Sequence, residues 1–192
     1  MKKKFVTKRI DYDGSQLKPL YSYMHHKMAG DSVVGFIGSC SVHFEKMIDA
    51  EDLVAEAKIE GDKMLHFIVE IFNQTLTTAV TLQRLMVSMA QGILNQKSAV
   101  LKKQPLRRDG DDLYYDLHGK THKLTISIAS NSAVSAMIHF AINVTNQGTP
   151  VRTCALEDFK ISPQDFAEEF MKKLSEEYES ILAATQKVRP LS

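Results

Sequence analysis

Cysteine is scarce: Cys40 and Cys154 are the chain's two. Two thiols do not make a disulfide framework, and a reducing compartment is the simpler context. Charge of one sign is lacking too, since 24 Lys+Arg against 23 Asp+Glu leave a net charge of +1. That excludes the strong basic footprint of a protein built mainly on nucleic-acid contacts, although Lys102, Lys103, Arg107 and Arg108 make a local basic patch. No run approaches the roughly 20 apolar residues of a spanning helix, so no membrane partner is expected. The start Met1-Lys2-Lys3-Lys4 is not followed by an apolar stretch, because Thr7, Lys8, Arg9 and Asp11 interrupt it, and it is read as a solvated, basic N-terminus. The expectation is a cytoplasmic protein. Neither a repeat nor a low-complexity linker divides the chain, which leaves one domain over 1–192. An apolar content of 44% is enough for a sizeable core.

Most informative is 123–144, KLTISIASNSAVSAMIHFAINV. It reads as two strands joined by a polar link at Ser130-Asn131-Ser132. Leu124, Ile126 and Ile128 alternate with Lys123, Thr125 and Ser127. Ile138, Phe140, Ile142 and Val144 alternate with Met137, His139, Ala141 and Asn143. Side chains on a strand alternate between faces. If the two apolar rows share a core, Lys123, Thr125, Ser127, His139 and Asn143 share the other face. Such a face is either simply solvated or floors a ligand site with an ammonium, an imidazole and an amide. His139, with an unperturbed pKa near ~6.5, is a candidate general base, against the reading of a satisfied structural histidine.

Around this stretch the chain alternates strands and helices. The segment 5–10 reads as a strand and 11–15 as a turn. Next, 21–28, with the adjacent His25 and His26, reads as a surface loop. Segment 32–44 reads as a buried strand, with Gly35 and Gly38 marking a bulge or a close backbone approach. Its Gly-x-x-Gly-x-Cys run lacks the Gly-Lys-Ser/Thr ending of a phosphate loop. On a strand Cys40 and His43 face opposite ways, which argues for a structural thiol. Asp49 is a plausible cap for a helix to about Lys58. Gly61-Asp62 reads as a turn, and 64–72 as a strand whose His66 and Glu70 join the polar face. Leu76, Ala79, Leu82, Leu85, Met86, Met89, Ile93 and Leu94 give 75–96 a helical apolar stripe. Then 99–103 reads as a short strand, 109–112 as a turn and 113–117 as a strand. Ser162-Pro163-Gln164-Asp165 starts a helix that runs to about Gln186. His25, His26, Cys40, His43, His66 and His139 offer no defensible metal-ligand spacing.

With the order in hand, 111–124 resembles a strand–turn–strand of the biotin–protein ligase and lipoate ligase catalytic domains: Asp111-Asp112-Leu113-Tyr114-Tyr115, then Gly119, then Lys123-Leu124. The strand IHFAINVTN, 138–146, is similar to the Gly-Ile-Asn-Val-Asn strand of those ligases, and HFAINV is also similar to the His-Gly-x-Ala-Leu-Asn-Val strand of the lipoyl/octanoyl transferases. Over its whole length, from RIDYDGS through GDSVVGF to GDKMLHF, the chain resembles the family called domain of unknown function 366. The resemblance implies an α+β fold, a mixed and largely antiparallel sheet with packed helices, of the biotin/lipoate ligase and class II aminoacyl-tRNA synthetase kind. It implies no established reaction.

By resemblance, Lys123 is the lysine that contacts acyl and phosphate oxygens during adenylation, where an ammonium neutralises developing charge. Asp112 and Asn143 match positions that hold the nucleotide or its magnesium, and Ser127 lies beside them. In the transferases the lysine works with a cysteine after the Asn-Val strand, the place of Cys154 here; Lys123 would then lower that thiol's pKa. ATP and magnesium are thus implied as cofactors, but the ligases' arginine- and glycine-rich nucleotide loop has no counterpart, since 30–47 contains no arginine. Thr125-Ile126-Ser127 also stands where the ligases have small glycine steps. The expected function is acyl activation or acyl transfer on a small carboxylate-bearing or nucleotide-like ligand. The alternative is a non-catalytic module that binds a nucleoside, a modified tRNA end or a protein partner. A symmetric homodimer is expected only because such dimers are common.

Overall fold

Hydrophobic alternation in four segments builds the centre of the molecule. The computed structural model describes residues 1–190; 191 and 192, the end of the expected domain, lie outside the described residues. The elements are β1 (Lys2–Val6), α1 (Tyr21–His26), β2 (Ser32–Val42), a 3₁₀ turn (Phe44–Lys46), α2 (Ala50–Val54) and β3 (Ile59–Phe72). Then come α3 (Leu76–Lys97), α4 (Ala99–Lys103), β4 (Arg107–Asp109), β5 (Asp112–Leu117), β6 (Lys120–Lys123) and β7 (Thr125–Asn131). The chain finishes with β8 (Ser135–Asn143), a 3₁₀ turn (Leu156–Phe159) and α5 (Pro163–Thr185). A five-stranded sheet has the order β1-β2-β3-β8-β7, and a three-stranded sheet the order β4-β5-β6. Among the described strands β1–β2 pair in parallel and the other strand pairs are antiparallel. The fold is α+β with a mixed, largely antiparallel sheet. Among the described residues no helix is long and apolar enough to cross a membrane.

The large sheet buries both faces. Leu65, Phe67, Val69 and Ile71 of β3 and Ile138, Phe140 and Ile142 of β8 pack with Leu82, Met86, Ala90 and Leu94 of α3 and with Phe166, Phe170 and Leu174 of α5. Tyr12, Tyr21, Val34, Phe36, Cys40, Met64, Ile68 and Ala141 form a second cluster on the opposite face. Both long helices start where the sequence places them. Thr75 Oγ1 accepts the Thr78 N–H, and Ser162 Oγ accepts the Asp165 N–H, each satisfying a donor that a helix N-terminus leaves free. Asp49 caps α2, which is shorter than expected and ends at Val54.

Several expectations are corrected. Segment 21–28 holds the helix α1 rather than a loop, with Tyr21 and Ser22 buried. Segment 99–103 is helical, because Ser98 Oγ accepts the N–H groups of Val100 and Leu101 and closes a first turn despite the β-branched Val100. Gly61-Asp62 does not turn the chain; both lie inside β3, which pairs with β2 back to Ile59. The first strand runs over 2–6 rather than 5–10, where it finds Ser32 to Phe36 as parallel partners.

The largest correction concerns faces. Thr125 lies opposite Ile142 and Ser127 opposite Phe140, while Ile126 lies opposite Ala141 and Ile128 opposite His139. Residues paired across an antiparallel ladder point to one side, so Thr125 and Ser127 lie on the α3 side. His139 and Asn143 share the other side with Ile126 and Ile128, not with Thr125 and Ser127. His66 and Glu70 do join His139 and Asn143, as their register with β8 requires.

Candidate functional site

Leu124 is the hinge that places the site. It belongs to neither sheet: its N–H donates to the Leu113 carbonyl, and its own carbonyl accepts the Asn143 N–H. The chain thus leaves the small sheet at Lys123 and enters the large one at Thr125, beside the free edge of β7. Lys123 is fixed further by backbone pairing with 152–154: its N–H donates to Arg152 O and its carbonyl accepts from Cys154 N. Asn143 reinforces this crossing. Its Nδ2 donates to Lys123 O at 3.3 Å and to Cys154 O at 3.2 Å.

A cavity of about 440 Å³ opens over this edge. Lys123, Asp112, Ser127, His139 and Asn143, five of the six residues singled out in the sequence, all line it. Lys123 Nζ lies 2.8 Å from Asp112 Oδ2. Burial works against the Lys123 ammonium, but the Asp112 carboxylate, with Tyr114 and Asp52 behind it, outweighs burial and raises its pKa above the ordinary lysine value. Lys123 is therefore a fixed cation at neutral pH. Burial raises the Asp112 pKa, against the pull of Lys123. Asp112 Oδ1 is buried with no hydrogen-bond partner. Ser127 is held by others: its Oγ donates to Asp111 Oδ2 at 2.8 Å and accepts from Gln83 Nε2 at 2.8 Å, while Arg84 Nη1 stands 2.9 Å from Asp111 Oδ1.

On the far wall lie His139 and Tyr12, whose part in the site the sequence did not make plain, with His66 fully buried behind His139. His139 Nε2 is 3.0 Å from His66 Nδ1, and His66 Nε2 is 3.4 Å from Gly38 O. The Tyr12 ring stacks on His139 with centroids 3.7 Å apart, and Phe36 stacks on His66 at 5.1 Å. Burial lowers the pKa of His66 to about 4, and burial together with His66 takes His139 well below its ordinary value. Both rings are neutral at pH 7. The signal for Tyr12 was Gly38: a Cβ there would sit 1.8 Å from Ile10 O, so the segment 10–12 must lie against this bend of β2, where Tyr12 bridges Cys40.

Cys154 is not in this cavity. It lines a separate one of about 330 Å³ with Val100, Tyr115, His122 and Phe159. Its Sγ donates to His122 O at 3.6 Å, and burial pushes the thiol up to about 12, the opposite of an activated nucleophile. Cys40 is likewise buried and pushed up to about 12.

ATP with magnesium is what the ligase resemblance implies, and the cavity lining does not fit it. Asp49, Glu51, Asp52, Glu60, Asp111 and Asp112 face Lys46, Lys58 and Lys123, with no arginine. Lys46 is paired with Asp13 and Lys123 with Asp112. Among the described residues no three of His, Cys, Asp and Glu converge to hold a metal. Such a lining repels a triphosphate rather than cradling it, so no step is routed through ATP.

The class that this architecture defines is visible in solved structures. The biotin protein ligase from Aquifex aeolicus, solved with biotin and ATP, superimposes with a TM-score of 0.55 at 12% identity, covering 91% of this chain and 69% of that one. Protein Ta0514 from T. acidophilum, solved with bound lipoic acid, gives 0.55 at 12% identity, covering 92% and 86%. At that identity the likeness shows the fold alone: this is a biotin/lipoate ligase-like fold. The chain belongs to the family described as Domain of unknown function (DUF366), which it matches over residues 1–189. It is 35% identical over 167 residues to the uncharacterized protein MJ0805 of Methanocaldococcus jannaschii, covering 84% of this chain and 72% of that protein. A protein of unknown function from Pyrococcus horikoshi superimposes with a TM-score of 0.88 at 36% identity, covering 99% of this chain and all of the other.

Proposed function

We propose that this chain binds a small carboxylate-bearing ligand in the cavity beside β7 and acts on it by acyl activation or acyl transfer. The observation that carries the reading is Lys123: a charged amine, held by Asp112, at the point where two sheets meet over a cavity of drug-like size. A carboxylate docked there meets its counter-charge. An acyl carbon under attack develops negative charge on oxygen, and a fixed ammonium stabilises it without reorganisation. Neither the Cys154 thiol nor an arginine cradle supports the covalent or the ATP-bound version of that chemistry. The version that balances is transfer from an acyl donor that already carries its leaving group, such as a thioester. The acceptor's nucleophile bonds to the acyl carbon, the thiol leaves with its bond electrons and a proton, and a free acid occupies the site as product or ligand.

The acidic lining favours one second reading, a binding module for an uncharged or amine-bearing ligand such as a nucleoside. Thermal shift against biotin, lipoate, octanoate, amino acids and nucleosides, each with and without ATP–magnesium, separates the two. Stabilisation through ligand linkage by a carboxylic acid supports the acyl reading. Stabilisation by nucleosides alone supports the module.

A further inference from the structure

His139 lies at the cavity wall, only 2% exposed, and its Nε2 is already engaged with His66. The direction of that bond follows from its far end. Gly38 O can only accept, so His66 Nε2 carries the proton. Neutral His66 then has a bare Nδ1, which must accept from His139 Nε2–H. Neutral His139 is left with a bare Nδ1, and among the described residues the ring's hydrogen bond is the one through Nε2. This nitrogen is not among the polar atoms sealed from solvent without a partner, and the residue lines the cavity. The stack of Tyr12 on one ring and Phe36 on the other holds both imidazoles in place. A bare ring nitrogen at the cavity wall is an acceptor waiting for a donor.

We infer that the ligand carries an N–H or O–H group that His139 Nδ1 accepts, with His66 as the positioning residue that sets its tautomer through Gly38. This rests on the proposed binding of a carboxylate at Lys123 and narrows it: the substrate is a carboxylic acid with a donor-bearing head, such as a ureido, amide or hydroxyl group, not a plain alkyl acid. An unmatched acceptor discriminates, because an alkyl group placed against it leaves it desolvated and unpaired.

The test uses ¹⁵N-imidazole NMR on the full chain with two matched probe pairs. The first pair is 8-hydroxyoctanoate and octanoate. The second, without a carboxylate, is 2-imidazolidinone and cyclopentanone. We expect the free protein to show His139 protonated at Nε2 and bare at Nδ1. The donor-bearing member of each pair should move the Nδ1 resonance and bind about tenfold tighter or more than its partner, the factor of one net hydrogen bond. His66→Leu should remove that preference. His66→Gln, whose amide can both donate to Gly38 O and accept from His139, should restore it and also serves if the leucine variant fails to fold. A proton on His139 Nδ1 in the free protein, equal binding within both pairs, or an Nδ1 signal that no probe moves overturns the inference. If 2-imidazolidinone moves Nδ1 while neither acid binds, the inference stands and the carboxylate reading falls.

Discussion

Lys123 Nζ and Asp112 Oδ2 stand 2.8 Å apart at the junction of the two sheets. The pair is partly exposed, 31% for the lysine side chain and 19% for the aspartate, so solvent screens it. Its importance is therefore more in placement than in energy. Lys123→Met should cost only about 1 kcal/mol of stability, yet sharply reduce the stabilisation that any acid ligand gives. Thermal unfolding with and without ligand reads both. A loss of several kcal/mol with ligand response intact would show a structural lysine.

Asn143 spends both amide protons on the carbonyls of Lys123 and Cys154. Asn143→Leu takes the donor from the Cys154 carbonyl and one of two donors from the Lys123 carbonyl, which keeps the Cys154 N–H, and should cost about 1–3 kcal/mol. Urea denaturation measures this. It should also weaken ligand binding through Lys123, with which Asn143 shares a backbone link rather than a ligand contact.

Gly38 and Gly92 make opposite predictions. A Cβ at Gly38 collides with Ile10 O at 1.8 Å, so Gly38→Ala should destabilise by about 1–3 kcal/mol and disturb Tyr12. A Cβ at Gly92, inside α3, meets nothing within 4 Å. Gly92→Ala should stabilise by roughly 0.5–1 kcal/mol. Chemical denaturation of both variants checks the pair.

The buried histidines make stability depend on pH. His66 titrates near 4 when folded, and near ~6.5 when unfolded. Between those values the unfolded chain binds a proton that the folded one refuses, so stability falls as pH drops from about 6.5 toward 4 and the loss from this group levels below that. A shift of this size corresponds to about 3 kcal/mol. His139 adds in the same direction. Unfolding free energies across pH 4–8 should show this slope, and His66→Gln should reduce it.

Both thiols should be inert in the folded protein, since burial pushes each up to about 12. A thiol reagent should react at the rate of unfolding, and Cys154→Ala should leave any acyl turnover intact. Rapid modification of Cys154 in the native state, or loss of turnover in that variant, contradicts this.

How far the sequence carried can be seen at particular residues. The apolar stripe over 75–96 located α3 and the capping signal at Ser162 located α5, because both signals are local. Alternation found β7 and β8 but not the face of Thr125 and Ser127. A strand buried on both sides, as β8 is, gives apolar residues on either face, so the pattern no longer marks a side. The break at Leu124 shifted what had read as one strand. The resemblance brought Lys123, Asp112 and Asn143 forward, and they do meet in one cavity. Tyr12 stacking on His139 was beyond reach, because residues that distant in the chain meet only through the packing of 10–12 against Gly38.

The measurement that bears most directly on the central claim is calorimetric titration of the carboxylic acid that stabilises the wild-type chain most, repeated on Lys123→Met. The account predicts that binding weakens at least about tenfold, the equivalent of roughly 1.4 kcal/mol, while the variant keeps the wild-type fold by circular dichroism. Equal affinity in the two proteins would place the carboxylate elsewhere and remove Lys123 from the function proposed for it.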